Sequence, residues 1–166
     1  MEKEDLPLFA EWVNKPEFFG EYNPLRQTSR TDLEKAREKR SLELTDFLIE
    51  KKDGSKIGYI QHFTHPAVER LEIGFSMIPS ERGKGYCTEA VRIIIDYLFL
   101  SRNVVRIQAQ TETGNLASQK VLEKAGFKKE GTMQKCDFSR GELRDAHLYS
   151  ILREEWKEPK ILTKTT

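Results

Sequence analysis

The sequence predicts an α/β domain in which helices flank a mixed, mostly antiparallel sheet. Residues 70–77 alternate between apolar and polar side chains, which is the pattern of a strand that buries one face. Asp53-Gly54, the strongest short signal for a β-hairpin, separates two further strand-like segments. Downstream, apolar residues at 91, 94, 95 and 98 have the spacing of one face of an α-helix.

The predicted elements follow the order ααβββαβαββ. The first helix has Asp5 as its N-cap and Pro7 in its first turn. The second helix is charged, and Thr31 with Glu34 predicts its capping box. The later patterns predict strands over 44–52, 56–65 and 68–78, a helix near 87–100, a strand over 104–111, a helix over 115–126, and closing strands over 127–138 and 143–156.

The composition indicates one domain of nearly neutral charge. The 166 residues include 28 Lys and Arg against 27 Asp and Glu, which argues against a general nucleic-acid or membrane-surface binder. No apolar run has the roughly 20 residues that a membrane-spanning helix needs, and no signal peptide opens the sequence, so we expect a cytoplasmic protein. The two cysteines are too few for a disulfide framework. We expect a single domain over residues 1–158 and a flexible tail over 159–166.

The segment PSERGKGYCTEAV, residues 79–91, joins a predicted strand to a predicted helix. A helix N-terminus presents unpaired backbone N–H groups, and glycines let a ligand approach them closely. Because Arg82 and Lys84 flank Gly83 and Gly85, the turn suits a phosphate or pyrophosphate; a tight turn with ordinary surface charges is the alternative. The spacing excludes a G-x-x-x-x-G-K-[ST] loop, and it excludes the dinucleotide fingerprint because no glycine stands three residues after Gly85.

The same loop has the spacing of a known family. RGKGYCTEAV resembles the cofactor loop of the Gcn5-related N-acetyltransferases, R/Q-x-x-G-x-G/A, and NLASQKVLEKAGFKKEG resembles the second cofactor element of that family. The end of the chain, RGELRDAHLYSILREEW, is similar to the closing strands of the RimJ/RimL-like ribosomal-protein N-terminal acetyltransferases, and EDLPLFAEWVNKPE is similar to their first helix. The resemblance therefore covers nearly the whole chain.

The resemblance implies acetyl-CoA as the cosubstrate and no metal. The loop would hold the pyrophosphate on backbone N–H groups, and the strand end would pair with the pantetheine arm. Asn115, which is also a good N-cap for the following helix, would contact that arm. It also implies a sheet that splays between the strands around 70–78 and 104–111, where the cofactor would enter. The implied cofactor-binding residues are Met77, Ile78, Arg82, Gly83, Lys84, Gly85, Tyr86, Cys87, Thr88 and Asn115.

Two features depart from the family pattern. The last position of the loop motif, usually Gly or Ala, is Cys87. A packed, inert thiol and a reactive thiol at the helix N-terminus both fit this position. The family begins with a strand before its first helix, whereas Met1 lies almost at the predicted helix. Either the given start lies downstream of that strand, or the sheet lacks the family's first strand. Loss of the strand would expose a sheet edge.

Acetyl transfer to an amine needs a neutral amine, a polarised thioester carbonyl and a route for protons. Many family members place a tyrosine seven residues after the motif asparagine as the acid toward the CoA thiolate, but Leu122 stands there in this chain. Ser118 is a candidate for a role at the leaving group, because its helical position aims it inward and the RimL-like branch has a matching serine. A serine that bonds to nearby backbone is the alternative.

Asp137 is the candidate general base. The RimL-like pattern has a glutamate there that acts through water, whereas a solvated turn carboxylate is the alternative. Glu72 competes for this role, since it lies on the strand face that leads toward the predicted cofactor site. His147 and Tyr149 on the final strand are further candidates for lining the cleft.

The sequence thus predicts an acetyl-CoA-dependent N-acetyltransferase that acts on a primary amine by direct transfer, since no Cys-His arrangement supports an acyl-enzyme. The favoured acceptor is a protein N-terminal α-amine. Small amines, polyamines and antibiotics are alternative acceptors, and a CoA-binding sensor without catalysis is the alternative class. We expect no nucleic-acid or membrane partner. The oligomeric state is open, with a homodimer among the alternatives.

Overall fold

The structure is a computed structural model that describes residues 1–24, 27–38, 44–65 and 70–157. The tail predicted at 159–166 lies outside these residues. The helices are α1 (Leu6–Val13), α2 (Pro16–Phe19), α3 (Arg30–Glu38), α4 (Tyr86–Ser101) and α5 (Leu116–Ala125). The strands are β1 (Leu44–Glu50), β2 (Lys56–His65), β3 (Arg70–Met77), β4 (Arg106–Glu112), β5 (Lys128–Ser139) and β6 (Glu142–Leu152).

The strands form one six-stranded sheet in the order β1-β2-β3-β4-β6-β5. Every neighbouring pair is antiparallel except β3 and β4, which run parallel. Their pairing is confined to Leu71 with Ile107 and Glu72 with Gln108. Beyond these pairs the two strands diverge toward the C-terminal end of β3. The mixed, mostly antiparallel sheet and its splay are therefore confirmed.

Turn chemistry explains the β1–β2 hairpin. Gly54 adopts φ +85°, a left-handed conformation that side chains other than glycine's rarely adopt. Its N–H donates to the carbonyl of Lys51, and the N–H of Lys51 donates to the carbonyl of Ser55. The Asp53-Gly54 signal thus marks the turn that sets the register of the first two strands.

The N-terminal helices differ from the prediction in two details. The capping box of α3 is formed by Ser29 and Asp32, because the N–H of Asp32 donates to Ser29 Oγ at 3.1 Å and the N–H of Ser29 donates to Asp32 Oδ2 at 3.3 Å. The predicted box at Thr31 and Glu34 is wrong, since both residues lie inside the helix. The segment between α1 and α3, predicted as a loop, contains the short helix α2, which begins at Pro16.

Buried side chains fill both faces of the sheet. Successive strand residues point to opposite faces, and Tyr59 and Ile60 of β2 accordingly enter different clusters. Ile60 belongs to the larger cluster, which includes the inner faces of α4 and α5. Tyr59 belongs to the smaller one, which it forms with residues of α1 and α2, Phe9, Trp12, Val13 and Phe18. Helices therefore cover the sheet in two layers around the splay.

The chain enters the fold beside the edge strand β1. Within residues 1–24, a 3-10 turn (Lys3–Asp5) precedes α1 and no strand does. The amino group of Met1 donates a 2.9 Å hydrogen bond to the carbonyl of Asp46 in β1. No helix in the described ranges is long and apolar enough to cross a bilayer.

Candidate active site

The glycine-rich turn connects the open end of β3 to the first turn of α4. A 3-10 turn (Pro79–Glu81) follows β3, and Gly85 is the N-cap residue of α4. Gly83 and Gly85 have φ +76° and +90°, and a Cβ at either position would meet no atom within 4 Å. The glycines are therefore needed for backbone conformation, and the space beside them is open to a ligand.

The two basic residues of the turn have different environments. Arg82 donates from Nε to the carbonyl of Met77 at 3.1 Å and from Nη2 to the carbonyls of Glu17 and Phe18. Its guanidinium thus ties α2 to the end of β3. Lys84 forms an exposed ion pair with Glu81 at 3.2 Å. Arg82 is a structural support for the site, which the sequence pattern did not reveal.

A large cavity of about 630 Å³ opens between the end of β3, the glycine-rich turn, α5 and residues 18–23. Seven of the ten predicted cofactor residues line this cavity. The lining includes Met77, Arg82, Gly83, Gly85, Cys87, Thr88 and Asn115, together with Ser118. It does not include Ile78, Lys84 or Tyr86. The cavity lies beside the N-terminus of α4, where backbone N–H groups can bind a phosphate.

A small cavity of about 340 Å³ adjoins the large one. Six residues line both cavities, namely Phe19, Tyr22, Asn23, Phe75, Asn115 and Ser118. Asp137 lines the small cavity only, as do Glu112 and Ser139. Ser118 thus lies where the two cavities meet, whereas Asp137 lines the small cavity alone.

The start of α5 fixes the position of Ser118. Asn115 is the N-cap, and its Oδ1 accepts a 3.1 Å hydrogen bond from the N–H of Ser118. The N–H of Asn115 in turn donates to the carbonyl of Glu112 at the end of β4. A short turn therefore brings the end of β4 and the first turn of α5 to one side of the junction.

Three further candidates lie outside the linings of both cavities. Glu72 Oε2 accepts hydrogen bonds from Gln108 at 2.7 Å and Gln110 at 3.4 Å. Tyr149 is buried and donates to Glu123 Oε1 at 3.1 Å. His147 lies 2.9 Å from Thr132 Oγ1 through Nδ1 and 3.0 Å from Lys129 through Nε2. The structure therefore gives these three side chains partners within the sheet and on α5.

The thiol of Cys87 is packed at the start of α4. Burial raises its pKa to about 12, so that it is almost wholly protonated at neutral pH. This environment favours the packed, inert alternative for the unusual motif position. Within the described residues, no group of three or more His, Cys, Asp or Glu side chains is arranged to hold a metal ion.

Sequence reasoning missed two residues of the small cavity. Glu112 follows the last alternating residues of β4, and its place three residues before the predicted N-cap Asn115 was a usable signal. Ser139 is the first residue of the predicted turn between β5 and β6, where a buried hydroxyl has no sequence signature. Both residues reach the cavity through strand pairing that is distant in sequence.

A parallel strand pair that diverges beside a glycine-rich helix start defines the acetyltransferase class of α/β domains. Residues 1–128 match the family described as acetyltransferase (GNAT) domain, and the chain belongs to that family. It is a GNAT-type acetyltransferase domain.

Comparison with individual proteins gives the same fold. The uncharacterized N-acetyltransferase YnaD of Bacillus subtilis is 36% identical over 100 residues, which are 60% of this chain and 59% of that protein. RimJ of Mycobacterium smegmatis in complex with CoA-disulfide has a TM-score of 0.82 at 24% identity, covering 96% of this chain and 82% of that one. Spermidine N-acetyltransferase of Vibrio cholerae in complex with CoA and spermine has a TM-score of 0.82 at 20% identity, covering 93% and 94%.

At these identities, the two solved structures establish a shared fold. The chain spans 59% of YnaD and 49% of each of two further curated relatives.

Proposed function

We propose that this chain transfers the acetyl group of acetyl-CoA directly to a primary amine. The observation that carries the proposal is the junction of two cavities at Ser118, beside the splay between β3 and β4. The large cavity has room for an extended donor, and the small one has room for an amine. A thioester at the junction would meet the amine without passing through a covalent enzyme intermediate.

The donor would lie along the large cavity. Its pyrophosphate would accept hydrogen bonds from backbone N–H groups around Gly83 and Gly85, at the positive end of the α4 dipole. The strand end at Met77 has backbone groups free from pairing with β4, since that pairing stops at Glu72. A pantetheine arm placed there would extend the sheet in the splay.

Ser118 is the proposed group at the leaving thiolate. Its hydroxyl can donate a hydrogen bond to the sulfur as the C–S bond breaks. This hydrogen bond stabilises the negative charge that develops on the sulfur in the transition state and is absent in the ground state. Leu122, at the position of the usual tyrosine, is fully buried and has no proton to give. Cys87 is unsuited to a covalent route because its thiol is protonated and packed.

A protein N-terminal α-amine is the proposed acceptor. Phe138 and Leu143 form a cross-strand pair at the tip of the β5–β6 hairpin, and they are 66% and 58% exposed. Phe138 also lines the small cavity. Exposed apolar side chains at a cavity mouth suit the residues that follow a peptide's amino group. The cytoplasmic location and the homodimer alternative stay predictions.

A small polyamine is the second candidate, because carboxylates surround the small cavity. Glu112 and Asp137 line it, and Glu21 lines the large cavity beside it. Negative charge would attract an acceptor with several ammonium groups. The two candidates differ in whether the apolar rim or the acidic lining dominates recognition.

The test is acetyl transfer from acetyl-CoA to a matched panel of N-terminal peptides and polyamines, with Ser118→Ala beside the wild type. We expect turnover of a peptide amine, and we expect Ser118→Ala to lower kcat by about 10²-fold with little change in the KM for acetyl-CoA. A variant that only raises that KM would remove Ser118 from the chemistry. CoA binding without turnover of any acceptor would support the sensor alternative.

A further inference from the structure

Glu112 is the last residue of β4 and has the most enclosed carboxylate in the small cavity. Its side chain is 9% exposed, whereas Asp137 of the same lining is exposed. Two residues separate Glu112 from Asn115, and the Glu112 carbonyl accepts the Asn115 N–H at 2.9 Å. Since Asn115 and Ser118 line both cavities, Glu112 stands on the acceptor side of the junction.

Arg144 compensates the charge of Glu112 without occupying its oxygens. The Nε of Arg144 lies 3.8 Å from Glu112 Oε1, which is beyond hydrogen-bond distance. That Nε is buried and has no hydrogen-bond partner among the described residues. The other arm of the guanidinium pairs with Glu142 at 3.0 Å. The Glu112 carboxylate therefore keeps acceptor capacity for a ligand.

A second observation shows that the small cavity is built for a polar ligand. Ser139 lines it and is only 3% exposed, and within the described residues its Oγ has no hydrogen-bond partner. Burying a hydroxyl that has no hydrogen-bond partner costs free energy, and native proteins seldom contain such a group. A bound ammonium group would supply the missing donor.

We propose that Glu112 binds the ammonium group of the acceptor and takes its proton, with Ser139 Oγ as a further hydrogen-bond acceptor for that group. The inference rests on the proposed amine acetylation and names the chemical form in which the acceptor enters, a primary ammonium. It also assigns to Glu112 the role that the sequence suggested for Asp137 or Glu72.

One N–H bond of the ammonium breaks, its proton goes to the Glu112 carboxylate directly or through one water, and a neutral amine remains. The amine nitrogen's electron pair forms the C–N bond to the thioester carbon, and the C–S bond breaks with its pair on sulfur. The second nitrogen proton goes to the sulfur through the Ser118 hydroxyl. Glu112 then releases its proton to solvent.

The surroundings tune Glu112 for this step. Burial raises the pKa of its carboxyl, Arg144 lowers it, and neighbouring acidic groups raise it further. The charged and titratable groups that face it are Arg144 and Glu142 of β6, Asp137 of β5, and Glu21 and Tyr22 of the 3-10 turn (Gly20–Tyr22). A carboxylate with a raised pKa is a stronger base than an ordinary one.

The experiment measures kcat/KM against pH for the wild type, Glu112→Gln, Asp137→Asn and Glu154→Gln, with two acceptors whose amine pKa values differ. Glu154 is the control, because it is an exposed carboxylate beyond the end of β6 and outside both cavity linings. CoA-induced thermal stabilisation of each variant shows that the fold and the donor site are intact.

We expect Glu112→Gln to have a kcat/KM about 10²–10⁴-fold below that of the wild type. The remaining kcat/KM of this variant should increase with pH up to the pKa of the acceptor amine. The wild type should have an acidic limb at the same pH with both acceptors, and Glu154→Gln should resemble the wild type. Activity of Glu112→Gln near the wild-type value, or a wild-type acidic limb that moves with the acceptor, would overturn the inference and leave the proposed function in place. Loss in Asp137→Asn alone would place the base there. If the wild type acetylates no amine, the proposed function fails and the inference fails with it.

Discussion

At the scale of single residues, His62 is the most unusual member of the sheet. It is 1% exposed in β2, and neither ring nitrogen has a hydrogen-bond partner among the described residues. Its ring centroid lies 6.1 Å from that of Phe47 on the neighbouring strand. Burial lowers the pKa of His62, Arg102 lowers it further, and Asp46 opposes the change. The folded state therefore favours a neutral imidazole.

The pH dependence of stability follows from this shift. Because the folded pKa is below the unfolded value of about 6.5, the unfolded chain binds the proton more readily, and stability falls as the pH drops below that value. His62→Phe should weaken this dependence and should raise stability at pH 6, since a ring of similar shape replaces buried polar atoms. Urea unfolding at pH 8 and pH 6 measures both effects.

An equal loss of stability on acidification in His62→Phe and in the wild type would contradict this account. Some pH dependence of stability should survive the substitution, because burial also lowers the pKa of His147.

Individual site residues were also the hardest features to predict from the sequence. The Asn115 N-cap was predictable from local chemistry, whereas the enclosure of Glu112 depends on Arg144 and Ser139 from strands distant in sequence.

At the scale of elements, Arg82 explains how a four-residue helix holds its place. Helix α2 is too short to be stable alone, and Phe18 supplies its buried apolar contact. The Arg82 guanidinium bonds to the carbonyls of Glu17 and Phe18, and Ser76 Oγ donates to the Phe18 carbonyl at 3.0 Å. One side chain from the glycine-rich turn thus supports the wall of the large cavity.

Arg82→Ala and Arg82→Lys should both destabilise the protein, by about 1–3 kcal/mol, because an ammonium group cannot span the three carbonyls that the guanidinium fork reaches. Lys84→Ala is the control in the same turn and should cost less than about 0.5 kcal/mol, since its ion pair with Glu81 is exposed. Denaturant unfolding gives the stabilities, and amide exchange over residues 16–20 locates the change. A fully stable Arg82→Lys would show that charge, and not geometry, holds α2.

The order and type of the main elements could be predicted because local signals agree with the fold. Asp53-Gly54 set the first hairpin and Gly126, at φ +102°, ended α5. Local sequence signals gave the wrong residues where two candidate pairs could form the same helix cap. Ser29 with Asp32 caps α3 in place of the predicted pair two residues later, and α2 forms through tertiary support that no local pattern encodes.

At the scale of the whole molecule, the sheet has two halves joined by little more than two residue pairs. Strands β1 to β3 carry α1 and α2 on one face, and strands β4 to β6 continue the sheet beyond the splay. Helices α4 and α5 contribute to the large cluster that spans both halves. A ligand in the large cavity would contact β3, α4 and α5 together, and so would bridge the halves where backbone pairing stops.

CoA binding should therefore stabilise the entire domain. At a CoA concentration of 100 times Kd, the expected stabilisation is about 2.7 kcal/mol, which corresponds to a rise in Tm of roughly 5–11 °C for a chain of this size.

Gly85→Val should abolish this CoA-induced rise in Tm, because a β-branched side chain is strained at φ +90° and would displace the N–H groups at the start of α4. Gly54→Val is the matched control, since Gly54 also has a positive φ, +85°, but lies in the β1–β2 hairpin away from both cavities. It should lower the starting Tm and keep the rise. Thermal unfolding with and without CoA measures both variants, and a full CoA shift in Gly85→Val would mean that the glycine-rich turn does not hold the pyrophosphate.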